Sequence, residues 1–178
     1  MRKILIGFVL VIAVLLVVVA MQPSEFSITR SATMNAPQAA AYDQVNDFKK
    51  WAAWSPWEKR DPNIKKTYEG AATGNGAKYH WVGNHEVGEG RMTIEESRPS
   101  EYVRIKLEFI KPFAATNDTV FTFQPQGEQT EVNWTMSGKH NFIGKAMCLV
   151  MNMEKMIGPD FEAGLAGIKA QAEAAPKP

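Results

Sequence analysis

Apolar residues recur along this chain at two different periods, and the changes of period mark out its elements. From Ile4 to Met21 no charged residue interrupts 18 positions. As a helix rising about 1.5 Å per residue, that run extends about 27 Å, close to the roughly 30 Å of a bilayer's hydrocarbon core. After Gln22-Pro-Ser-Glu25, the residues Phe26, Ile28, Ala32 and Met34 alternate with Ser27, Thr29, Ser31 and Thr33. Period two predicts a half-buried strand, broken at an inward position only by Arg30. Asn35-Ala36-Pro37 then predicts a helix start, with Asn35 as cap and Pro37 in the first turn, running through Tyr42 and Val45 to about Phe48. Trp51, Trp54 and Trp57 follow three apart, so a short helical turn would put them on one side.

Beyond Asp61-Pro62-Asn63, period-two segments separated by turn residues predict strands at about 64–69, 77–82, 88–97, 102–111, 118–125 and 130–138. Met92, Ile94, Val103, Ile105, Leu107, Phe109, Thr119, Phe121, Phe123, Val132, Trp134 and Met136 fall on one parity. Arg91, Glu95, Arg104, Lys106, Glu108, Glu131 and Asn133 fall on the other, so one face is wet and the other covered. The cover is the last long pattern, 144–174, whose Met147, Val150, Met151, Met153, Ile157, Phe161, Leu165 and Ile168 recur at three and four. Gly158-Pro159 predicts a kink in that helix. The segment from Met147 to Ile157 would then border a cavity, with Phe161, Leu165 and Ile168 as plain core.

The expected fold class is therefore α+β, a curved antiparallel sheet closed on one face by a long C-terminal helix. The domains divide as 1–25 for a membrane anchor and linker, 26–174 for the folded unit, and 175–178 for a flexible tail. Arg2 and Lys3 precede the apolar run, which keeps the N-terminus cytoplasmic and sends the domain across, into the periplasm or cell exterior. The length of the run favours an uncleaved anchor over a signal peptide, whose apolar core usually runs about 7–15 residues, although Val18 and Ala20 offer small residues for cleavage.

Charge and cysteine content remove several function classes. The net charge of +1 includes Arg2 and Lys3; from Gln22 onward 18 basic residues face 19 acidic ones, leaving no basic field for nucleic acid. The single cysteine, Cys148, permits no intramolecular disulfide and reads as a buried structural thiol. His80 and His85 point to opposite faces if one strand carries both, His140 reads as a loop residue, and no metal-ligand or nucleophile motif occurs. Glu95 and Glu108 read as outward surface charges. An inward Arg30 would need a salt-bridge partner or an anionic head group. No catalytic residue, metal site or cofactor is expected.

The order of NAPQAAAYDQVNDFKKWAAWSPW, then Trp81, Gly88-Glu-Gly90, Met92 and Ile94, then TEVNWTMSG at 130–138 and DFEAGLAGIKAQAE at 160–173, resembles the SRPBCC or START-like superfamily. More narrowly it is similar to the polyketide cyclase/dehydrase-like branch, with the helix-grip fold of the birch pollen allergen. The resemblance implies a seven-stranded sheet around the C-terminal helix and a hydrophobic cavity that takes lipids, sterols, polyketides or quinones. It implies no universal catalytic residue.

The residues expected to line that cavity are Trp54, Trp57, Tyr79, Trp81, Met92, Phe109, Phe121, Phe123, Trp134, Met136, Met147 and Met151, because aromatic and methionine side chains suit an apolar partner. The partners expected are a hydrophobic small molecule or lipid, and a membrane through residues 4–21. The function expected first is a membrane-anchored binding module. The alternatives are a cyclase/dehydrase-type enzyme acting on an apolar carbonyl substrate, or a protein-interaction module using the Trp51–Trp57 surface.

Overall fold

A computed structural model of the chain describes residues 2–149 and 151–175. An apolar helix α1 (Arg2–Ala20) leads into strand β1 (Glu25–Met34), followed by three short helices: α2 (Gln38–Asn46), α3 (Trp51–Trp54) and α4 (Pro56–Arg60). Six strands follow in a meander: β2 (Lys65–Gly70), β3 (Ala77–Val82), β4 (Glu89–Arg98), β5 (Tyr102–Lys111), β6 (Ala115–Gln126) and β7 (Gln129–Lys139). Helices α5 (Phe142–Cys148) and α6 (Met153–Ala174) close the chain. All seven strands form one antiparallel sheet in the order β1-β7-β6-β5-β4-β3-β2. The sequence alternation located the strands to within three residues at every end. Fold and architecture are those expected, an α+β helix-grip.

The inner face is built from the apolar parity of each strand. Ile28, Met34, Ile94, Val103, Ile105, Phe121, Phe123 and Val132 are buried there. Against them lie Ala41 and Val45 of α2 and Phe161, Leu165, Ile168 and Ala172 of α6. Burial of each large side chain contributes about 1.5–3 kcal/mol, so this single layer carries most of the favourable energy of the domain. Two glycines set how closely α6 approaches. A Cβ on Gly164 would strike the ring of Trp134, and one on Gly167 would press on the backbone of Trp54.

The C-terminal helix departs from expectation. It is two helices, not one, and the break lies between Cys148 and Met153 rather than at Gly158-Pro159. Asn141 and Asn152 each cap a new start, accepting from the N–H of Gly144 at 2.8 Å and of Lys155 at 3.0 Å. An asparagine cap satisfies donors that would otherwise be orphaned, and two such caps mark two starts. Helix α6 runs on through Pro159. Gly158 is small because the Arg30 guanidinium occupies the space a side chain would take. Val150, part of the expected stripe, lies outside the described residues, as do 176–178 of the expected tail.

Asn35 does not cap α2, which has Pro37 at that position; its N–H instead donates to Glu173 at 2.7 Å, and its side-chain oxygen accepts from Gln129. Cys148 is only half-buried, its sulfur 3.4 Å from His140 Nε2. Arg30 does point inward, and finds Glu162 at 2.9 Å and Glu154 at 3.3 Å on α6, which hold its pKa above the ordinary value. A salt bridge from sheet to helix, not a ligand head group, satisfies it.

Candidate functional site

A cavity of about 200 Å³ lies between the inner face of β3–β7, the short helices α3 and α4, and α6. That is more than ten times the roughly 10–15 Å³ that one water needs. Its walls are mostly apolar: Trp51, Trp57, Ile64, Tyr79, Trp81, Val87, Met92, Leu107, Phe109, Trp134, Met136, Ile157 and Phe161. Glu86, exposed in the β3–β4 loop, and Asp160 of α6 belong to the same lining.

The sequence builds this wall by leaving a gap in the cover. Where Gly164 and Gly167 let α6 sit close, the core is solid; Ile157, Asp160 and Phe161, one to two turns earlier, border open space. Gly90 has a parallel role on the sheet. It pairs with Trp81 across β3 and β4, and a Cβ there would strike the indole, so the glycine gives the ring room to lie across the sheet. Trp81 meets Tyr79 in a stack at 5.8 Å and Phe109 edge-on at 6.1 Å, which forms one aromatic wall.

Polar groups are few and unequally satisfied. Tyr79 Oη donates to Glu58 Oε1 at 3.3 Å, and the other carboxylate oxygen of Glu58 pairs with Lys66. Burial, reinforced by the Glu58 charge, pushes the Tyr79 phenol well above its ordinary value, so it stays protonated and acts as a donor. Arg60 of α4 pairs with Asp160 of α6, tying these two elements together. Thr119 Oγ1 and Trp134 Nε1, both on lining residues, have no hydrogen-bond partner among the described residues.

Seven of the twelve expected lining residues surround this cavity: Trp57, Tyr79, Trp81, Met92, Phe109, Trp134 and Met136. The other five lie elsewhere. Trp54 is buried in the core, its indole donating to Gln44 O at 3.0 Å. Phe121 and Phe123 share the inner parity but lie under the solid part of the cover, and both are buried in core. Met147 sits on α5 and Met151 in the break before α6, away from the cavity because the helix divides upstream of where the kink was expected. Phe161, expected as plain core, borders the cavity instead.

Ser55, Glu58 and Val87 had no sequence signal, since they reach the cavity from a loop or a short helix whose packing follows no period, and Asp160 had none because it lies outside the apolar stripe of α6. Thr119 had one: it falls on the inward parity. Trp51 and Trp54 are buried and Trp57 is half-buried, so the three rings form no exposed patch for a protein partner. Among the described residues no group of three His, Cys, Asp or Glu side chains could hold a metal ion.

Comparison with known proteins gives the same architecture. The model of the polyketide cyclase / dehydrase and lipid transport family matches residues 25–173. No curated protein sequence matches the chain. Among solved structures, a protein from Chromobacterium violaceum superposes with a TM-score of 0.61 at 14% identity, covering 84% of this chain and 98% of that one. The Zhui aromatase/cyclase from Streptomyces sp. R1128 gives 0.61 at 12% identity over 84% and 94%. The Aha1 dimer from Colwellia psychrerythraea gives 0.60 at 14% identity over 84% and 97%. At these identities the likeness is one of fold.

Proposed function

Because the chain belongs to the polyketide cyclase/dehydrase and lipid transport family, we propose that it is a membrane-anchored binding module whose cavity takes up a hydrophobic small molecule or lipid. The observation that carries this reading is the cavity of about 200 Å³, walled by aromatic, methionine and aliphatic side chains. An engineered apolar cavity of about 150 Å³ already binds benzene, so a space of this kind favours an apolar occupant over water. Delipidated protein titrated with sterol and quinone analogues should quench its cavity tryptophans. No quenching, together with no co-purified small molecule in native mass spectrometry, would remove this reading.

The anchor rests on α1, which is long and apolar enough to cross a membrane and is exposed along nearly its whole length. Its end packs against α5, where Lys145 Nζ donates to Ala20 O at 3.2 Å. Helix α5 itself exposes Phe142 and Ile143. With Arg2 and Lys3 holding the N-terminus in the cytoplasm, the domain lies on the other side, close to the bilayer. Alkaline carbonate extraction and a reporter fused after residue 178 test this directly. A chain released by carbonate, or a reporter active only in the cytoplasm, would overturn it.

A second reading, a cyclase/dehydrase-type enzyme, is favoured by one feature. Tyr79 is a protonated phenol on the cavity wall, and by exchanging its bond to Glu58 for one to a bound carbonyl it would donate as charge develops there. The aromatase/cyclase among the structural neighbours adds weight to this reading. Incubation with aromatic-forming polyketone mimics would support it by product formation that Tyr79→Phe abolishes.

A further inference from the structure

Three of the four buried tryptophans spend their indole N–H on a backbone carbonyl: Trp51 on Val45, Trp54 on Gln44 and Trp81 on Val87, at 3.0, 3.0 and 3.3 Å. Trp134 does not. The residue is 2% exposed and its Nε1 has no partner among the described residues. Thr119, 3% exposed, is in the same state, its Oγ1 unpaired. The two are neighbours on one face, since Thr119 pairs with Met136 and Phe121 with Trp134 across β6 and β7. Diagonal positions of this kind lie about 7–8 Å apart, a span the indole partly bridges. Both residues line the cavity.

An unmade buried hydrogen bond is costly, and native structures keep few of them. Two on adjacent inward residues of one cavity indicate a missing partner. Indole N–H can only donate and a hydroxyl can donate, so the partner is an acceptor. Its charge follows from the other polar groups in the wall. Among the described residues the lining includes Glu58, Glu86 and Asp160 but no Lys, Arg or His, and the nearby Lys66 and Arg60 are already paired with Glu58 and Asp160, so no unpaired cation is left to compensate an anion. A buried carboxylate with no cation free to pair with it would be strongly disfavoured.

Resting on the reading of this cavity as a ligand site, we propose that its occupant is a neutral apolar molecule bearing an oxo group, which Trp134 Nε1 and Thr119 Oγ1 receive as donors. This places ketones and quinones within the site's preference and free fatty acids outside it. Thr119 and Trp134 thus act as binding residues. In the empty protein they are an unfavourable pair.

The test uses three probes of matched shape on the full chain in detergent: 2-acetylnaphthalene, 2-ethylnaphthalene and 2-naphthoate. Wild type should bind the ketone at least tenfold more tightly than the carboxylate. Thr119→Val, which keeps the shape and removes the donor, should weaken ketone binding about tenfold while 2-ethylnaphthalene binds as before or more tightly. Thr119→Ser should restore the ketone preference. Should the valine variant fail to fold, the carbonyl stretch of bound 2-acetylnaphthalene in wild type serves instead, lying at lower wavenumber than in hexane. Equal effects on ketone and hydrocarbon, an unshifted stretch, or naphthoate binding as tightly as ketone would each overturn this inference while leaving the binding module intact. Failure of wild type to bind any of the three would overturn the binding reading itself, and this inference with it.

Discussion

The indole of Trp134 lies flat on the ring of Phe161, with centroids 4.2 Å apart and planes 9° from parallel. One ring belongs to the sheet and the other to α6, and both face the cavity. This stack is where the solid core ends and the open space begins. Its position is set one turn further along α6 by Gly164, where the Trp134 ring fills the space a side chain would need.

Gly164→Ala should therefore destabilise the domain despite the better helix propensity of alanine. Overpacking a filled core costs about 1–3 kcal/mol, against a gain of about 1 kcal/mol for replacing glycine within a helix. A net loss of up to about 2 kcal/mol would lower the melting temperature by several degrees, since about 1 kcal/mol corresponds to roughly 2–4 °C in a domain of this size. Combined with Trp134→Phe, the loss should be smaller than the sum of the two single variants, because the phenyl ring no longer reaches the added methyl. Additive effects in thermal melts would show that the close approach is not what requires glycine.

Phe161→Ala should enlarge the cavity at the cost of the core. Truncating a buried phenylalanine loses about 3–5 kcal/mol. The same change removes one wall, so bulkier apolar probes should bind better relative to small ones in the variant than in wild type. Denaturant unfolding measures the first effect and probe titration the second. A variant as stable as wild type would mean that the ring contributes little packing.

Most of the fold was legible in the sequence because strands of period two and one closing helix follow from which side chains must leave water. Tyr79, Trp81, Met92, Phe109, Trp134 and Met136 reached the cavity for the same reason: inward parity puts them there. Parity does not say how far the cover extends. Phe121 and Phe123 share it, yet lie where Trp51 of α3 and Tyr42 of α2 cover the sheet. The break in the C-terminal helix was misplaced because Pro159 is a louder signal than Asn152, yet α6 continues through Pro159 while the Asn152 side chain caps its start. Glu58 on the short α4 and Asp160 on α6 were invisible, since a helical carboxylate outside the apolar stripe looks the same whether it borders solvent or a cavity.

Tyr79 gives a pH dependence with a definite sign. Its folded-state pKa is raised above the ordinary phenol value of about 10, by burial first and the Glu58 charge second. The folded protein therefore holds this proton more tightly than the unfolded chain. The corresponding stability is fully present below about pH 10 and is lost as pH rises beyond it. Tyr79→Phe should flatten the alkaline limb of the stability curve and leave neutral pH nearly unchanged on that account. Phenolate absorbance should show that the signal lost in the variant is one that appears only with unfolding. A Tyr79 that ionises in the folded protein near pH 10 would contradict the burial argument.

In the proposed membrane-anchored arrangement, α5 lies on the side of the domain nearest the bilayer. Helix α5 leaves Phe142 50% and Ile143 61% exposed, which is unusual for large apolar side chains on a water-facing turn. It also packs against the end of α1, so a membrane that holds α1 would hold these two side chains at its surface. An environment-sensitive label at Phe142→Cys, in a Cys148→Ser background that leaves no other thiol, should be quenched by lipids brominated near the head group when the full chain is reconstituted in vesicles. A label at Glu128→Cys, in the exposed β6–β7 turn, supplies the comparison and should not be quenched. Replacing Ile143 by serine should reduce quenching at position 142 without releasing the chain, because in the proposed arrangement α1 supplies the anchor. Equal quenching at 142 and 128 would place the whole domain without preference over the bilayer, and no quenching at either would lift α5 away from it.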